Sequence, residues 1–394
     1  MAANPSIQLG TDGNWAIKED NLLAYKKDGN RFFNKEFDFS RGSLATFVGE
    51  NGLIQESATN TPRIDFKNNA TGHLLLEPQS TNLIPYSEDF SQWTLGSNSI
   101  LTFESNIIAP DGSLGVYRLQ NPQTGSTFLT IGFRNCRNYS LFVKAVTEGV
   151  NNQFNLDASG QPTDTKTATT QWQRFNRDFV SQANYNLSIN NGIDNYASDI
   201  YIWGAQAEAL AYPTSYIPTS GSTVTRSAEV CNNSGSEQDF NDSEGVLYAN
   251  IAALTNDLTF RILSVSDGSN DNVIKFGYRT TSNAIYYEVR SEDVSQAFQI
   301  YTTTDVKQFH KVAVLYQQNN FKLFINGFNV LSDTGGVTPI GLNNLSFDIG
   351  GNDFYGKTKE LEVFKRALTD LELESLTSWD SFIEMATELE YTIE

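Results

Sequence analysis

Short runs in which apolar and polar side chains alternate recur about every ten residues between Val116 and Leu331. An alternation of period two lays one face of an extended chain against a core and the other against water. Tyr139 to Ala145 is the clearest case: Leu141 and Val143 share one face and Phe142 takes the other. Val116–Leu119, Phe128–Ile131, Gln171–Phe175, Tyr185–Ile189 and Asp199–Ala205 read the same way, with Asn-Pro, Asp-Gly and Asn-Gly turns between strands. A second set runs through Gly245–Ile251, Val273–Tyr278, Ala284–Val289, Ala297–Tyr301, Val312–Tyr316, Phe321–Ile325 and Phe328–Leu331. Within it Asn326-Gly327 is a tight hairpin turn. The pattern predicts an all-β protein made of two antiparallel β-sandwiches of jelly-roll type.

The two sets are parted by residues 213–226, which hold Pro213 and Pro218 among serines and threonines. Proline has no amide to donate to a central strand, so this stretch reads as an extended, exposed connector. The predicted organisation is a sandwich over 81–212, a linker over 213–226 and a second sandwich over 227–368. Before them, residues 1–80 carry short apolar strips, including a hairpin turned at Asn51-Gly52, but too few to enclose a core. They predict a short β-rich segment that docks on a neighbour or on further copies of the chain, a homo-oligomer being the expectation. Residues 369–394 predict a helix, capped by Thr369 or Asp370 with Glu372 in its first turn, and an acidic tail.

Composition narrows the function. Hydrophobic residues make up 39% of the 394 positions and aromatics 12%, led by 26 Phe and 17 Tyr, which suits half-buried strands and not a disordered chain. Lys and Arg number 27 against 46 Asp and Glu, a net charge of -19 without a basic cluster. Nucleic acid and anionic membrane surfaces are therefore poor partners. No run approaches the ~20 apolar residues of a membrane span. The opening MAANPSIQLGTDGNW lacks the apolar core of a secretory signal, so synthesis in a cytoplasm without signal-peptide export is the expectation. Cys136 and Cys231 sit in no metal-type spacing; separate buried thiols are expected, with one long-range disulfide as the alternative.

Three stretches carry a resemblance. RGSLATFVGENGLIQESATNTPRIDF, followed by HLLLEPQSTNLIPYSEDFSQW, resembles a segment recurrent in bacteriophage tail and fibre proteins. WGAQAEALAYPTSYIPTSGSTVTR is similar to the end of a carbohydrate-binding-module-like sandwich in the same proteins. YQQNNFKLFINGFNV with KELEVFKRALTDLELESL resembles concanavalin A-like (laminin G-like) lectin domains. The resemblance implies a structural component of a phage virion, in a tail, fibre or surface appendage, that helps contact host-surface glycans. It also implies other virion proteins as partners, a trimer as the favoured assembly, and location in the virion after synthesis in a bacterial host. A purely architectural capsid or tail decoration protein is the competing reading, and a glycan hydrolase a third.

Individual residues narrow the chemistry further. Glucanases of the concanavalin A-like type place carboxylates in an E-x-D-x-x-E strand pattern; here Glu360 and Glu362 are followed by Lys365, and Glu288, Glu292 and Asp293 are mis-spaced. His73 and His310 are the only histidines, and G-x-S-x-G is absent, so the expectation is no enzyme. The loop Asp267-Gly268-Ser269-Asn270-Asp271-Asn272 offers oxygen ligands but has Asn where an EF-hand needs its glycine, and ordinary turn chemistry is favoured. By analogy with carbohydrate-binding sandwiches, Asp199 or Asp111 could serve a structural calcium; no other cofactor is implied. Sugar rings stack on aromatic faces, which makes Trp172, Trp93, Tyr201, Trp203 and Tyr355 the candidate glycan-binding residues. Trp172, between Gln171 and Gln173, is the foremost, and Tyr286 and Tyr287 are weaker; Tyr355 stands out for its glycine-rich loop IGGNDFYGK.

Overall fold

The structure is a computed structural model that describes residues 4–121, 128–190, 197–389 and 391–392. The Asn191-Gly192 turn, and Glu390 and Glu394 of the acidic tail, lie outside the described residues. The protein is almost entirely antiparallel β-structure, as the alternation requires. It forms two units. Met1–Arg41, Thr59–Pro78 and Glu229–Glu394 make the first; Gly42–Ala58 and Gln79–Ala228 make the second.

The first unit is a sandwich. One sheet runs, strand by strand, through Val230–Asn232, Arg31–Ser40, Asn21–Asp28, Ile7–Leu9, Gly356–Phe364, Glu244–Ala253, His310–Gln317, Asn320–Ile325 and Phe328–Asp333. The other runs through Val294–Thr302, Ala284–Ser291, Val273–Tyr278, Arg261–Ser266 and Asn344–Ser346. Alternate residues of both meet in one core: Ala249, Ile251, Val314, Leu323 and Leu361 from the first, Leu263, Ile274, Phe276, Tyr287 and Val289 from the second. The outer face of the larger sheet is covered in part by the helix Asp370–Thr377, whose Leu373 packs with Tyr248, Leu315 and Phe324. Thr369 and Glu372 close the helix start in a reciprocal capping box. Asn326 and Gly327 both take positive φ, which the two-residue hairpin demands.

The expected docking segment over 1–80 is not a separate body. Ile7–Leu9 pairs with Leu361–Val363, Asn21–Asp28 and Arg31–Ser40 extend the same sheet, and His73–Leu76 pairs with Gly356–Thr358. Its apolar strips Ile7, Leu9, Leu22, Phe37, Ile64 and Leu74 are buried inside the first unit. They looked too few for a core because their partners lie hundreds of residues away. The argument that another copy of the chain must cover them loses its premise.

The four ends at which the first unit is interrupted are gathered by buried charge. Glu229 accepts from Arg41 Nη1 at 2.8 Å and from Arg63 Nε at 2.8 Å, and its other oxygen bonds Arg63 Nη2. Arg63 Nη2 also reaches Glu77 at 2.9 Å, and the Glu77 amide donates to Glu229 at 2.9 Å. Asn60 and Arg41 exchange two more bonds, at 2.9 and 3.0 Å. Burial opposes the Arg63 charge, but Glu229 and Glu77 more than offset it and raise its pKa.

The second unit holds one eight-stranded antiparallel sheet. Two of its strands, Phe128–Ala145 and Gln173–Asn190, are 18 residues each. Each absorbs two of the shorter predicted strands, joined through stretches that continue the pairing, with Arg137, Asn138 and Gln182 adding side-chain bonds across it. Register shifts near Gly132 and Asn138 bend the pair. Residues from several strands, among them Leu119, Leu141, Phe154, Leu187 and Ile202, meet with Phe90 and Trp93 in one core. Ala45–Val48 and Ile54–Ser57 form the hairpin that Asn51-Gly52 predicts.

Residues 213–226 are extended, but they are not the expected exposed linker. Thr214, Tyr216, Ile217, Thr219 and Arg226 are buried, and Val224–Arg226 pairs with Ser80–Asn82. The hydroxyls that suggested a solvated spacer bond inward: Thr214 to Glu208 at 2.5 Å and Thr219 to the Ile84 carbonyl at 2.6 Å. Gln206 accepts the Ile217 amide at 2.7 Å, so side chains supply the partners a strand would have supplied. Cys136 and Cys231 are free and buried, one in each unit.

Two predictions follow from this packing. Glu229→Gln leaves Arg41 and Arg63 buried without their shared carboxylate, and the first unit should lose about 3–5 kcal/mol, read as a lower denaturation midpoint beside an unchanged Glu56→Gln control. The second concerns Glu362, which is 8% exposed and accepts from Gln8 and Thr11 at 3.2 and 3.0 Å. Burial raises its carboxyl to about 7 against those bonds, with Glu360 and Asp12 adding to the rise. The folded chain keeps a proton there that the unfolded chain gives up near 4.5. This group's stabilising contribution is therefore full below that value and lost as pH rises through 7. Glu362→Gln should melt like wild type at about pH 4.5 and higher at about pH 8, by up to roughly 3 kcal/mol; equal shifts at both pH values would refute the assignment.

A candidate site in a cationic cleft

The smaller sheet of the first unit has a second face, turned away from the core. Strand alternation puts Lys275 on it from Val273–Tyr278, and Tyr286, Glu288 and Arg290 from Ala284–Ser291. Register sets Lys275 opposite Glu288, and Glu288 opposite Phe298 of the next strand. Gly277 lies opposite Tyr286, and a Cβ there would come within 1.9 Å of the Arg261 carbonyl, so this point of the face stays without a side chain. Phe260, Asn270, Arg279 and the turn Ile349–Asn352 rise around these residues. Together they line an open cleft of about 410 Å³.

The floor is apolar. Ile262, Val273, Tyr286 and Ile349 form a buried cluster with Phe260 and Ile300 packed against it. The Phe260 and Tyr286 rings meet edge to face at 5.7 Å, while Phe298 remains 46% exposed. The walls are charged. Lys275 bonds Glu288 at 3.0 Å and the Asn270 side chain at 2.7 Å; Arg290 reaches Glu288 at 3.1 Å and also pairs with Asp293. Burial pushes the Glu288 carboxyl up, but Lys275 and Arg290 outweigh it and hold it below the usual carboxylate range. Arg279 differs from both. Its guanidinium lies over the Phe260 and Phe298 rings at 5.9 and 5.8 Å, its Nε is buried without a partner, and among the described residues no carboxylate pairs with it. Three cations thus line the cleft against one carboxylate, in a chain whose net charge is -19.

The cleft is suited to holding a ligand, and among the described residues its lining does not supply the carboxyl pair of the common hydrolytic mechanism. The common mechanism for cleaving a glycosidic bond takes two carboxyl groups, one of them protonated. Glu288 is the sole carboxylate among the lining residues, and its two cations keep it ionised. Glu360 and Glu362 share the outer face of the larger sheet, but Glu360 is held by the Tyr248 hydroxyl at 3.0 Å and Glu362 by Gln8 and Thr11. His73 is buried, and burial beside Lys357, Lys359 and Lys67 lowers its pKa to about 3.

The aromatics singled out from the sequence lie elsewhere. Trp93 is 5% exposed, Trp203 is 2% exposed, and each is packed in the second unit, offering no ring face to a sugar. Trp172 is not an exposed platform: it is half-buried against Val116, Trp203 and Tyr216, and its indole donates to the Ile108 carbonyl at 2.8 Å. Tyr201 is half-buried in the same cluster. Tyr287 belongs to the core, while Tyr286 forms part of the cleft floor. Tyr355 stacks under Arg261 at 4.9 Å and donates to Asp353 at 2.9 Å; it does not line the cleft, but Ile349, Gly350 and Asn352 of its loop do.

The carboxylates considered for calcium do not converge. Asp267 accepts from Ser269 N and Oγ at 2.8 and 2.7 Å and from Asn272 at 3.0 Å, which closes a turn. Asp271 is exposed, Asp199 is engaged by both Arg118 Nε and Nη2 at 2.7 and 2.6 Å, and Asp111 accepts from Ser113. Among the described residues no three His, Cys, Asp or Glu side chains gather in a metal-ligand group.

Lys275, Glu288, Arg290, Arg279, Phe260 and Phe298 were not legible as a site, because a charged strand face reads as an ordinary solvated one. The available signal was the concentration of Lys275, Arg279 and Arg290 within a short stretch of an acidic chain.

Comparison with known proteins places the cleft in a recognised domain. Residues 238–374, within the first unit, match the concanavalin A-like lectin/glucanases superfamily. No curated protein matches the chain. Among solved structures, the CBM40 of the Ruminococcus gnavus IT-sialidase is 18% identical, with 37% of this chain and 94% of that one covered and a TM-score of 0.31. Domain 4 of AbnA, a GH43 extracellular arabinanase from Geobacillus stearothermophilus, is 13% identical over 38% and 73%, with a TM-score of 0.30. Trypanosoma rangeli sialidase is 10% identical over 97% and 68%, with a TM-score of 0.29.

The packing of Trp172 makes a direct prediction. Trp172→Ala removes a half-buried indole and its bond to Ile108, and should lower the stability of the second unit by about 2 kcal/mol, below the 3–5 of a fully buried aromatic. Glycan binding by the remaining folded protein should not change; a variant that melts normally and loses binding would return the site to Trp172.

Proposed function

We propose that this chain is a glycan-binding surface protein that contacts its ligand through the cleft on the smaller sheet of its lectin-like unit and does not cleave it. The observation that carries the reading is the pairing of an aromatic floor with charged walls in an open cleft, in a domain that matches the lectin/glucanases superfamily. Apolar sugar faces stack on aromatic rings, and Phe298, half exposed beside Phe260, is available for that contact. Glu288, held ionised by Lys275 and Arg290, is fitted to accept hydroxyl protons and not to protonate a leaving group.

The setting proposed for this contact is a tail, fibre or surface appendage of a phage virion. Its support is the likeness of the stretches from Arg41 to Phe66, from His73 to Trp93 and from Trp203 to Arg226 to segments of such proteins. Many copies on one particle would turn weak single sites into firm attachment, since linked sites gain about 10²–10⁴ in avidity. An architectural role without ligand is the second reading. It is favoured by the first two of these stretches, whose Arg41, Arg63 and Glu77 are engaged in buried ion pairs.

A glycan array probed with the full chain tests the reading. Wild type should bind a defined subset of oligosaccharides without releasing reducing sugar, and Phe298→Ala should weaken that binding about tenfold with an unchanged melting curve. Binding that survives Phe298→Ala in full would move the site, and the absence of any binding would leave the architectural role.

A further inference from the structure

We infer that the cleft selects glycans that carry a carboxylate, with Arg279 as the residue that receives it; the inference rests on the cleft being the glycan site. The cations of the cleft are not equivalent. Lys275 and Arg290 divide Glu288 between them, and Arg290 has Asp293 as well. Arg279 has no ion pair or hydrogen bond among the described residues, although the chain carries 46 acidic side chains against 27 basic ones. Two rings hold its guanidinium instead, Phe260 at 5.9 Å and Phe298 at 5.8 Å. Aromatic faces attract a cation without neutralising it, and they restrict the plane of the fork. The result is an oriented, uncompensated guanidinium at the wall of an open cleft.

A planar fork with parallel N–H donors matches a carboxylate in bidentate fashion. The same Phe298 that flanks Arg279 also offers its ring to a sugar face, so one ligand could stack and pair together. Long-range repulsion from the chain's net charge of -19 does not forbid this. At physiological salt, charges beyond about 8 Å are largely screened, and the local cations decide. A sulfated sugar shares the negative charge and can also offer two oxygens to the fork, so sulfated members stand in the test as the competing outcome.

The experiment uses the full chain on an array holding neutral, carboxylated and sulfated oligosaccharides, followed by titration with the bound carboxylated sugars and their methyl esters. Binding should concentrate on the carboxylated members, and esterification should weaken it at least about tenfold. Arg279→Gln should abolish the preference for the acid over its ester. Arg279→Lys, which keeps the charge and loses the fork, should retain only part of it, and Arg31→Gln, which removes an exposed cation elsewhere, should change nothing. Melting curves establish that each variant is folded. Equal binding of acids and esters, or a preference that survives Arg279→Gln in a folded variant, overturns the inference while leaving glycan binding standing. A preference for sulfated members also overturns it. No binding to any member removes both readings.

Discussion

The buried carboxylate of Glu229 is the point on which the first unit depends. That unit is not continuous in sequence: the chain departs after Arg41, returns at Thr59, departs after Pro78 and returns at Glu229. Each break brings chain ends together that no local signal would join. Glu229 holds Arg41 and Arg63 at once, Arg63 holds Glu77, and the Glu77 amide closes the set. Buried ion pairs often add little to net stability, because desolvation offsets their attraction. Their value in this protein is positional. An apolar cluster could fill the same volume, but it would not dictate which four strands of chain meet.

The fold class was legible because it follows from the period-two alternation, and the strands from Gly245 to Leu331 stand almost where the pattern puts them. The hairpin at Asn326-Gly327 and the cap at Thr369 were legible for the same local reason. Partnership was not. Nothing around Ile7 announces Val363, and three short apolar strips look like an incomplete core until their distant partners are known. Residues 213–226 failed differently. Proline and hydroxyl content correctly excludes a regular strand, but it does not reveal whether the threonine hydroxyls face water or inward partners such as the Glu208 carboxylate and the Ile84 carbonyl.

The site was obscured by a related ambiguity. Aromatic residues in a β-rich chain serve cores far more often than ligands, and Trp93 and Trp203 do so here. Phe260 and Phe298 become meaningful only once adjacent strands set them beside Arg279. What distinguishes the cleft is a contrast of charge: a locally cationic surface on a strongly acidic protein. That contrast depends on register, since moving Val273–Tyr278 by one residue would turn Lys275 into the core and Ile274 outward.

The pairing of Ile7–Leu9 with Leu361–Val363 also sets the order in which the protein can be made. Gln8 and Glu362 are separated by 354 positions. At ~5–20 residues per second, a ribosome needs on the order of 20–70 s to deliver the second partner after the first. During that interval the strands at the start of the chain can pair with one another, but the edge that meets Leu361–Val363 is unmatched and their apolar strips are uncovered. The second unit, complete at Ala228, can fold while they wait. An unpaired strand edge is an invitation to aggregate, so the early chain calls for protection by holding chaperones until translation has passed Phe364.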